Sequence, residues 1–314
     1  MDEADKSLLI SVIVCTRNRY EGLRACLKNI GNSSYPQREL IVVDSSDQPI
    51  RRENEKLVKG LGSTYCYEPK RRLAVARNTG IKVASGEVVV FADDDFIVDK
   101  NWIETLVPNY REPEVACCTG RMLSYRRDEA SQLYERSMSF DRGDKRRVFG
   151  RRDISIRKLL KVIPSIGNKK LLNRTPAPWA VGYGFCSFRR SIFNSIGYFD
   201  EELAVGTLST GEDIDMFYRI LKAGHKIVYE PSAIIYHSHP QRLEDVVKAA
   251  YTNGWEKRVF FSKYRKDIYM LFCFLGSLVL LGSAWAKSFF SSDRDFKKVI
   301  LAELSGFLAG APKT

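Results

Sequence analysis

"GEVVVFADDDF", residues 86–96, decides how the chain is read. It joins an apolar, β-branched run to three consecutive carboxylates. A run with so little alternation is what a strand buried on both faces looks like. Such a strand delivers Asp93, Asp94 and Asp95 to one fixed place at its carboxyl end, where like charges repel and a cation is needed to compensate them. A hard divalent ion such as Mg²⁺ or Mn²⁺ prefers carboxylate oxygens and bridges them to substrate phosphates. Taken alone, the stretch reads equally as an acidic turn with helix-capping aspartates.

Working outward, short β-rich runs recur at "LISVIVC" (9–15), "ELIVVD" (39–44), "STYCY" (63–67) and "VACCTG" (115–120). Between the first two, Leu23, Cys26, Leu27 and Ile30 keep the spacing of one helix face. This βαβα rhythm predicts an α/β fold with a mainly parallel sheet flanked by helices. Ligands of such sheets collect beyond the carboxyl ends of the strands, where Asp44 and Asp93 stand.

The strand rhythm fades over 121–175, where basic residues cluster as in "DKRRVFGRRDISIRKLLK" (144–161), and a loop-and-helix insertion is expected. Arg146, Arg147, Arg151 and Arg152 lie beside Val148 and Phe149, as in a segment that binds an anionic surface. A solvated charged loop is the plainer reading. Beyond it come "FCSFRR" (185–190), a helix in "EDIDMFYRILKAG" (212–224), and two short strands, "KIVYE" and "AIIYH". Glu212 and Asp213 fall at that helix's N-terminus, where the dipole favours an ionised carboxylate and a general base could stand ready. From 241 the chain reads as helix. The uncharged run 268–286, "IYMLFCFLGSLVLLGSAWA", is a candidate for membrane contact, flat or spanning, and "FKKVILAELSGFLAG" beyond it is amphipathic.

With 314 residues and a formal charge of +12, the chain has material for one large domain or two modest ones, and its charge points to an anionic partner. Seven cysteines without a C-x-x-C pair read as reduced core residues. The acidic N-terminus with its short apolar run lacks the makings of a secretory signal, so the catalytic part is expected in the cytoplasm. No zinc knuckle, recognition helix or aromatic-glycine RNA motif supports a nucleic-acid partner. A sugar-nucleotide pyrophosphorylase would carry a glycine- and lysine-rich loop after the first strand, which "CTRNRYEG" lacks.

Five stretches in order resemble the inverting family 2 glycosyltransferases: "SVIVCTRNRYEGLRACLKNI" (11–30), "IVVDSSD" (41–47), "AVARNTGIKVASGEVVVFADDDFIVDKNWIETL" (74–106), "FRRSIFNSIGYFDEEL" (188–203) and "GEDIDMFYRILKAGHKIVYEPSAIIYH" (211–237). The resemblance implies a GT-A domain over 1–240 with the basic insertion at 121–175, followed by a helical, membrane-associated tail over 241–314. It implies transfer of a sugar from a nucleoside diphosphate donor, uridine-linked as is commonest in the family, to a glycan or lipid-linked hydroxyl. Cell-surface polysaccharide or glycolipid synthesis at the cytoplasmic membrane face is the setting expected, with Mn²⁺ or Mg²⁺ as cofactor.

By the same resemblance, Thr16 and Arg17 lie in the loop over the nucleotide. Asp44 binds base or ribose, Arg77 and Asn78 stand beside the nucleotide, and Asp93 and Asp94 line the ribose and metal side. Asp95 is the principal metal ligand and His237 a second one, with His239 competing. Asp213 deprotonates the acceptor, next to Glu212. Two departures stand out. "VDSSD" replaces a commoner acidic pair, so Ser45 or Asp47 would assist Asp44. "GYGFCSFRR" lacks a usual acceptor element, leaving Trp179, Tyr183 and Arg189 as candidate wall residues.

Overall fold

A computed structural model describes residues 8–138, 141–157, 179–182, 184–203, 211–289 and 293–309. The first half alternates as expected: β1 (Ile10–Thr16), α1 (Tyr20–Gly31), β2 (Arg38–Asp44), α2 (Ile50–Gly60), β3 (Thr64–Tyr67), α3 (Leu73–Val83) and β4 (Val88–Asp93). Strands β5 (Phe96–Val98), helix α4 (Trp102–Leu106), β6 (Val115–Ser124), α5 (Glu129–Met138), β7 (Arg147–Phe149), β8 (Cys186–Arg189) and α6 (Ile192–Ile196) follow. The chain then runs through α7 (Gly211–Lys222), β9 (Lys226–His237), α8 (Leu243–Lys263), α9 (Ile268–Phe289) and α10 (Arg294–Leu308).

Among the described residues nine strands form one sheet in the order β3-β2-β1-β4-β8-β6-β9-β5, with β7 also on β9. The β3-β2-β1-β4 half is parallel, whereas β8 runs antiparallel to both β4 and β6. Side-chain alternation along β1 feeds two cores. Ile10, Val12 and Val14 pack with Leu23, Leu27 and Ile30 of α1, while Ile13 packs on the other face with Ile41, Val43 and residues of α3 and α7. Helix α3 comes very close to β1 at Gly80, where a Cβ would stand 2.5 Å from Ile13 Cγ2.

Three expectations change. "KIVYE" and "AIIYH" are one strand: β9 continues through Pro231 and absorbs it where its register against β6 shifts between Gly120 and Arg121. The basic insertion, where described, is not all loop and helix, because Arg147–Phe149 pairs with β9 at Ile227–Tyr229. Arg146 donates to Asn109 Oδ1, and Arg147 donates to the Arg142 carbonyl and lies over the Tyr229 ring, so these two are engaged by the fold. Arg151 and Arg152 are exposed, and the remainder of 158–175 lies outside the described residues.

The third change concerns the tail. Among the described residues no helix is long and apolar enough to cross a membrane, which corrects the spanning form of the 268–286 expectation. Helix α9 also spends one face on its own chain. Tyr269, Met270 and Cys273 are buried with Tyr218 of α7 and Phe260 and Phe261 of α8. Helix α10 crosses α8 at a glycine contact, where a Cβ on Gly306 would come within 1.9 Å of the Tyr251 carbonyl.

Candidate active site

Parallel register assembles the acidic centre. Thr16 pairs with Asp44 across β1 and β2, and Cys15 with Asp93 across β1 and β4, so three strand ends open on one mouth. From the far side of the sheet, antiparallel register sets His237 opposite Phe96, one residue from Asp95. The imidazole Nε2 is 3.7 Å from Asp95 Oδ1.

The compensating cation in this structure is a guanidinium. Arg19 Nη1 stands 2.7 Å from Asp94 Oδ1 and 3.0 Å from Asp95 Oδ2, and Thr16 donates to Asp94 Oδ2 at 2.7 Å. Burial tends to lower the Arg19 pKa, but the two aspartates outweigh it and raise it. Arg19 was not singled out from sequence; the second arginine of "TRNRY" was the available signal. Asp93 is half-buried beside them. Desolvation, with Asp95, Asp94 and Asp213 adding repulsion against the opposing pull of Arg77, pushes its carboxyl up to about 7. Burial likewise depresses the His237 pKa, against the pull of Asp95.

Among the described residues no three His, Cys, Asp or Glu side chains converge as a metal cage. Asp95 and His237 do fit a divalent cation that takes further oxygens from a substrate. Asp95 Oδ1 is buried and accepts no hydrogen bond among the described residues, an unusual state for a carboxylate oxygen.

Behind this mouth lies a second charged cluster. Arg77, 1% exposed, reaches Asp213 Oδ1 at 2.5 Å and Glu212 Oε1 at 3.1 Å. Asp213 Oδ2 accepts the Gly184 N–H at 2.9 Å, and both carboxylates are buried. Helix α7 presents these acids at its first turn, and α3, packed on the same face of the sheet, carries Arg77 to them. Arg77 therefore braces the two acids from within rather than lying open beside the mouth. Asn78 also faces inward, exchanging hydrogen bonds with the backbone of Phe199.

Asp44 is fully buried. It accepts from the Ser46 N–H, Asn54 Nδ2 and the Tyr65 hydroxyl, so its oxygens organise the loop after β2. That loop is stitched to the β1–α1 loop through Asn18, which holds φ +56°, exchanges hydrogen bonds with Asp47 and donates its N–H to Ser46 Oγ. Asp47 is half-exposed at this rim and Arg17 is exposed. Trp179 rests against Phe260 and Phe261 of α8, and Arg189 donates to the Tyr110 carbonyl. Tyr183 lies outside the described residues.

Residues 11–197, more than half the chain, match the sequence profile of Glycosyl transferase family 2. The chain belongs to this family. A pre-mycofactocin glycosyltransferase of Mycobacterium tuberculosis is 26% identical over 254 residues, covering 78% of this chain and 46% of the relative. An O-antigen chain rhamnosyltransferase of Salmonella typhimurium is 26% identical over 212 residues, 65% of this chain and 58% of the relative. The family 2 chain thus spans about half the length of these curated relatives. Among solved structures, a mannosyltransferase from Pyrobaculum calidifontis in complex with GDP-Man and Mn²⁺ aligns with TM-score 0.59 at 16% identity, over 97% of this chain and 88% of that one. At that identity the likeness speaks for the GT-A type of fold.

Proposed function

We propose that this glycosyltransferase moves a sugar, with inversion, from a nucleoside diphosphate donor to a hydroxyl of a glycan or lipid-linked acceptor. The observation that carries the reading is the meeting of Asp95 and His237 at the strand ends of a family 2 domain, with one Asp95 oxygen buried and accepting no hydrogen bond among the described residues. Asp95 and His237 would hold Mn²⁺ or Mg²⁺, which when bound supplies counter-charge to the departing diphosphate. Arg19 pairs with Asp95 and its neighbour Asp94 at the same mouth. Thr16, Arg17, Asp47 and the Asn18 loop border the mouth where the nucleotide would lie, with Asp44 fixing that border from below. Uridine diphosphate sugars are the first donors to try, and the GDP-Man bound by the Pyrobaculum neighbour makes guanosine-linked donors the second.

Asp213 is the proposed general base. Arg77 and the Gly184 N–H fix both its oxygens, so an acceptor hydroxyl must enter beside Gly184 to reach it. Displacement from the face opposite the leaving group needs no covalent sugar intermediate, and one carboxylate to receive the proton is sufficient. A donor screen that detects nucleoside diphosphate release, run with Mn²⁺, with Mg²⁺ and with EDTA, tests the reading. Turnover with no donor, or full turnover in excess EDTA, counts against it.

The proposed location is the cytoplasmic face of a membrane, held peripherally. Ile268, Leu271, Leu275 and Val279 form one outward stripe of α9, each at least 46% exposed, and exposed Arg265 and Lys266 precede it. An apolar stripe beside basic residues suits the interface of an anionic bilayer. Alkaline carbonate should strip the protein from membranes; a protein recovered wholly in the low-salt soluble fraction would refute this part.

A further inference from the structure

The histidine at the cleft is the end of a longer chain of groups. His237 Nδ1 is 2.9 Å from His239 Nδ1, and His239 Nε2 is 2.7 Å from Glu135 Oε2. Glu135 is itself fixed, since its other oxygen accepts the Asp141 N–H at 2.8 Å. The His239 ring is 2% exposed and meets Tyr134 edge-on at 5.1 Å, while His237 meets Phe96 in the same way at 5.6 Å. Both rings are therefore held in place by packing as well as by hydrogen bonds.

The sequence of contacts dictates where the protons sit when both imidazoles are neutral. A carboxylate only accepts, so at 2.7 Å from Glu135 the His239 Nε2 must carry the proton. Its Nδ1 is then an acceptor. The neighbouring His237 Nδ1, 2.9 Å away, must donate to it. His237 Nε2 is left with its lone pair directed at the cleft, where the nearest carboxylate oxygen, Asp95 Oδ1, is also an acceptor. The 3.7 Å separation agrees with this, because an N–H at that position would be drawn to about 2.9 Å from a carboxylate oxygen. Two acceptors facing one another make a place for a cation.

We propose that Glu135 and His239 are positioning residues of the metal site: through two hydrogen bonds they hold His237 in the Nδ1–H tautomer, with Nε2 presented beside Asp95 to a divalent cation. The inference rests on the reading that Asp95 and His237 are the metal's protein ligands. It adds that residues of α5 and of the segment after β9, neither facing the nucleotide mouth, set the ligand's orientation, as outer partners of metal-bound histidines commonly do.

The chain has only three histidines, His225, His237 and His239, so the tautomers can be read directly by nitrogen-15 NMR on the full, metal-free chain. His237 is expected as the Nδ1–H form; an Nε2–H or doubly protonated His237 overturns the proposal. Mn²⁺ alone is then titrated, with the free ion read by electron paramagnetic resonance. His237→Ala and His239→Phe should each weaken binding by about 10-fold or more, with the double variant no worse than either, because His239 acts through His237. His239→Gln, whose amide oxygen can still accept from His237, should stay within about 3-fold of the parent. Glu135→Leu, at a partly exposed site, supplies a second test should His239→Phe not fold, and should lose the Nδ1–H preference. If His237→Ala weakens Mn²⁺ binding and neither His239→Phe nor Glu135→Leu does, the positioning role fails while the ligand reading stands. If His237→Ala leaves Mn²⁺ binding intact, or the parent chain does not bind it, the ligand reading fails as well.

Discussion

Replacing Arg77 by methionine removes a counter-charge shared by two buried acids. Its Nη1 is shared between Asp213 at 2.5 Å and Glu212 at 3.1 Å, and the three side chains are 2%, 1% and 0% exposed. Screening by water is therefore minimal, and breaking a buried pair from one side costs about 3–5 kcal/mol. The guanidinium also lies 5.3 Å from the Phe91 ring and 5.5 Å from that of Phe199, contacts that methionine only partly replaces. A loss of about 4 kcal/mol is expected from a total that is typically about 5–15 kcal/mol. Urea unfolding of parent and Arg77→Met at pH 8, followed by circular dichroism, should show that gap. Adding Glu212→Gln and Asp213→Asn to Arg77→Met should recover most of the loss, since no buried charge is then left unpaired. A gap below about 1 kcal/mol would refute the idea that this ion pair carries the α3–α7 contact.

Asp213→Asn keeps an acceptor oxygen for Arg77 but removes basicity, so turnover should fall by about 100-fold or more with donor affinity nearly unchanged; near-normal turnover would move the base elsewhere. For Asp93, the carboxyl raised to about 7 means the metal-free fold favours its protonated form. That contribution is complete below about pH 4 and is lost as pH rises to about 7, so Asp93→Asn in EDTA should flatten the fall in stability between pH 5 and 8 by on the order of 2–4 kcal/mol. Gly306→Ala should force α10 away from the Tyr251 carbonyl, lowering stability by about 1–3 kcal/mol and opening the tail to limited proteolysis; an unchanged cleavage pattern would count against the glycine contact. On the stripe of α9, Leu275→Glu with Val279→Glu should release the protein from anionic vesicles while leaving nucleotide binding unaltered, and vesicle binding equal to the parent's would exclude that face.

How much of this was legible follows from what periodicity can encode. The run "VVVFADDD" announced a buried strand ending in acids because burial on both faces leaves a continuous apolar signature. The same logic placed the helix faces at Leu23, Cys26, Leu27 and Ile30 and the acidic start of the helix at 212. Strands β5 and β7 were missed because three residues each are too short to carry a period. The Pro-Ser pair at 231–232 suggested a break in β9 that the neighbouring strand's register shift absorbs.

Sequence alone thus determined the parallel βαβα half, the acidic strand end and the identity of the acids, since each is written in local pattern. It could not say which acid meets which cation. Arg77 finds Asp213 across 136 positions, Arg19 finds Asp94 across 75, and Glu135 finds His239 across 104. Those meetings depend on the order in which β1, β4, β8, β6 and β9 lie in the sheet. Local pattern records that a face is buried; only the packed fold chooses its partner, and burial is what gives each of these charged contacts its strength.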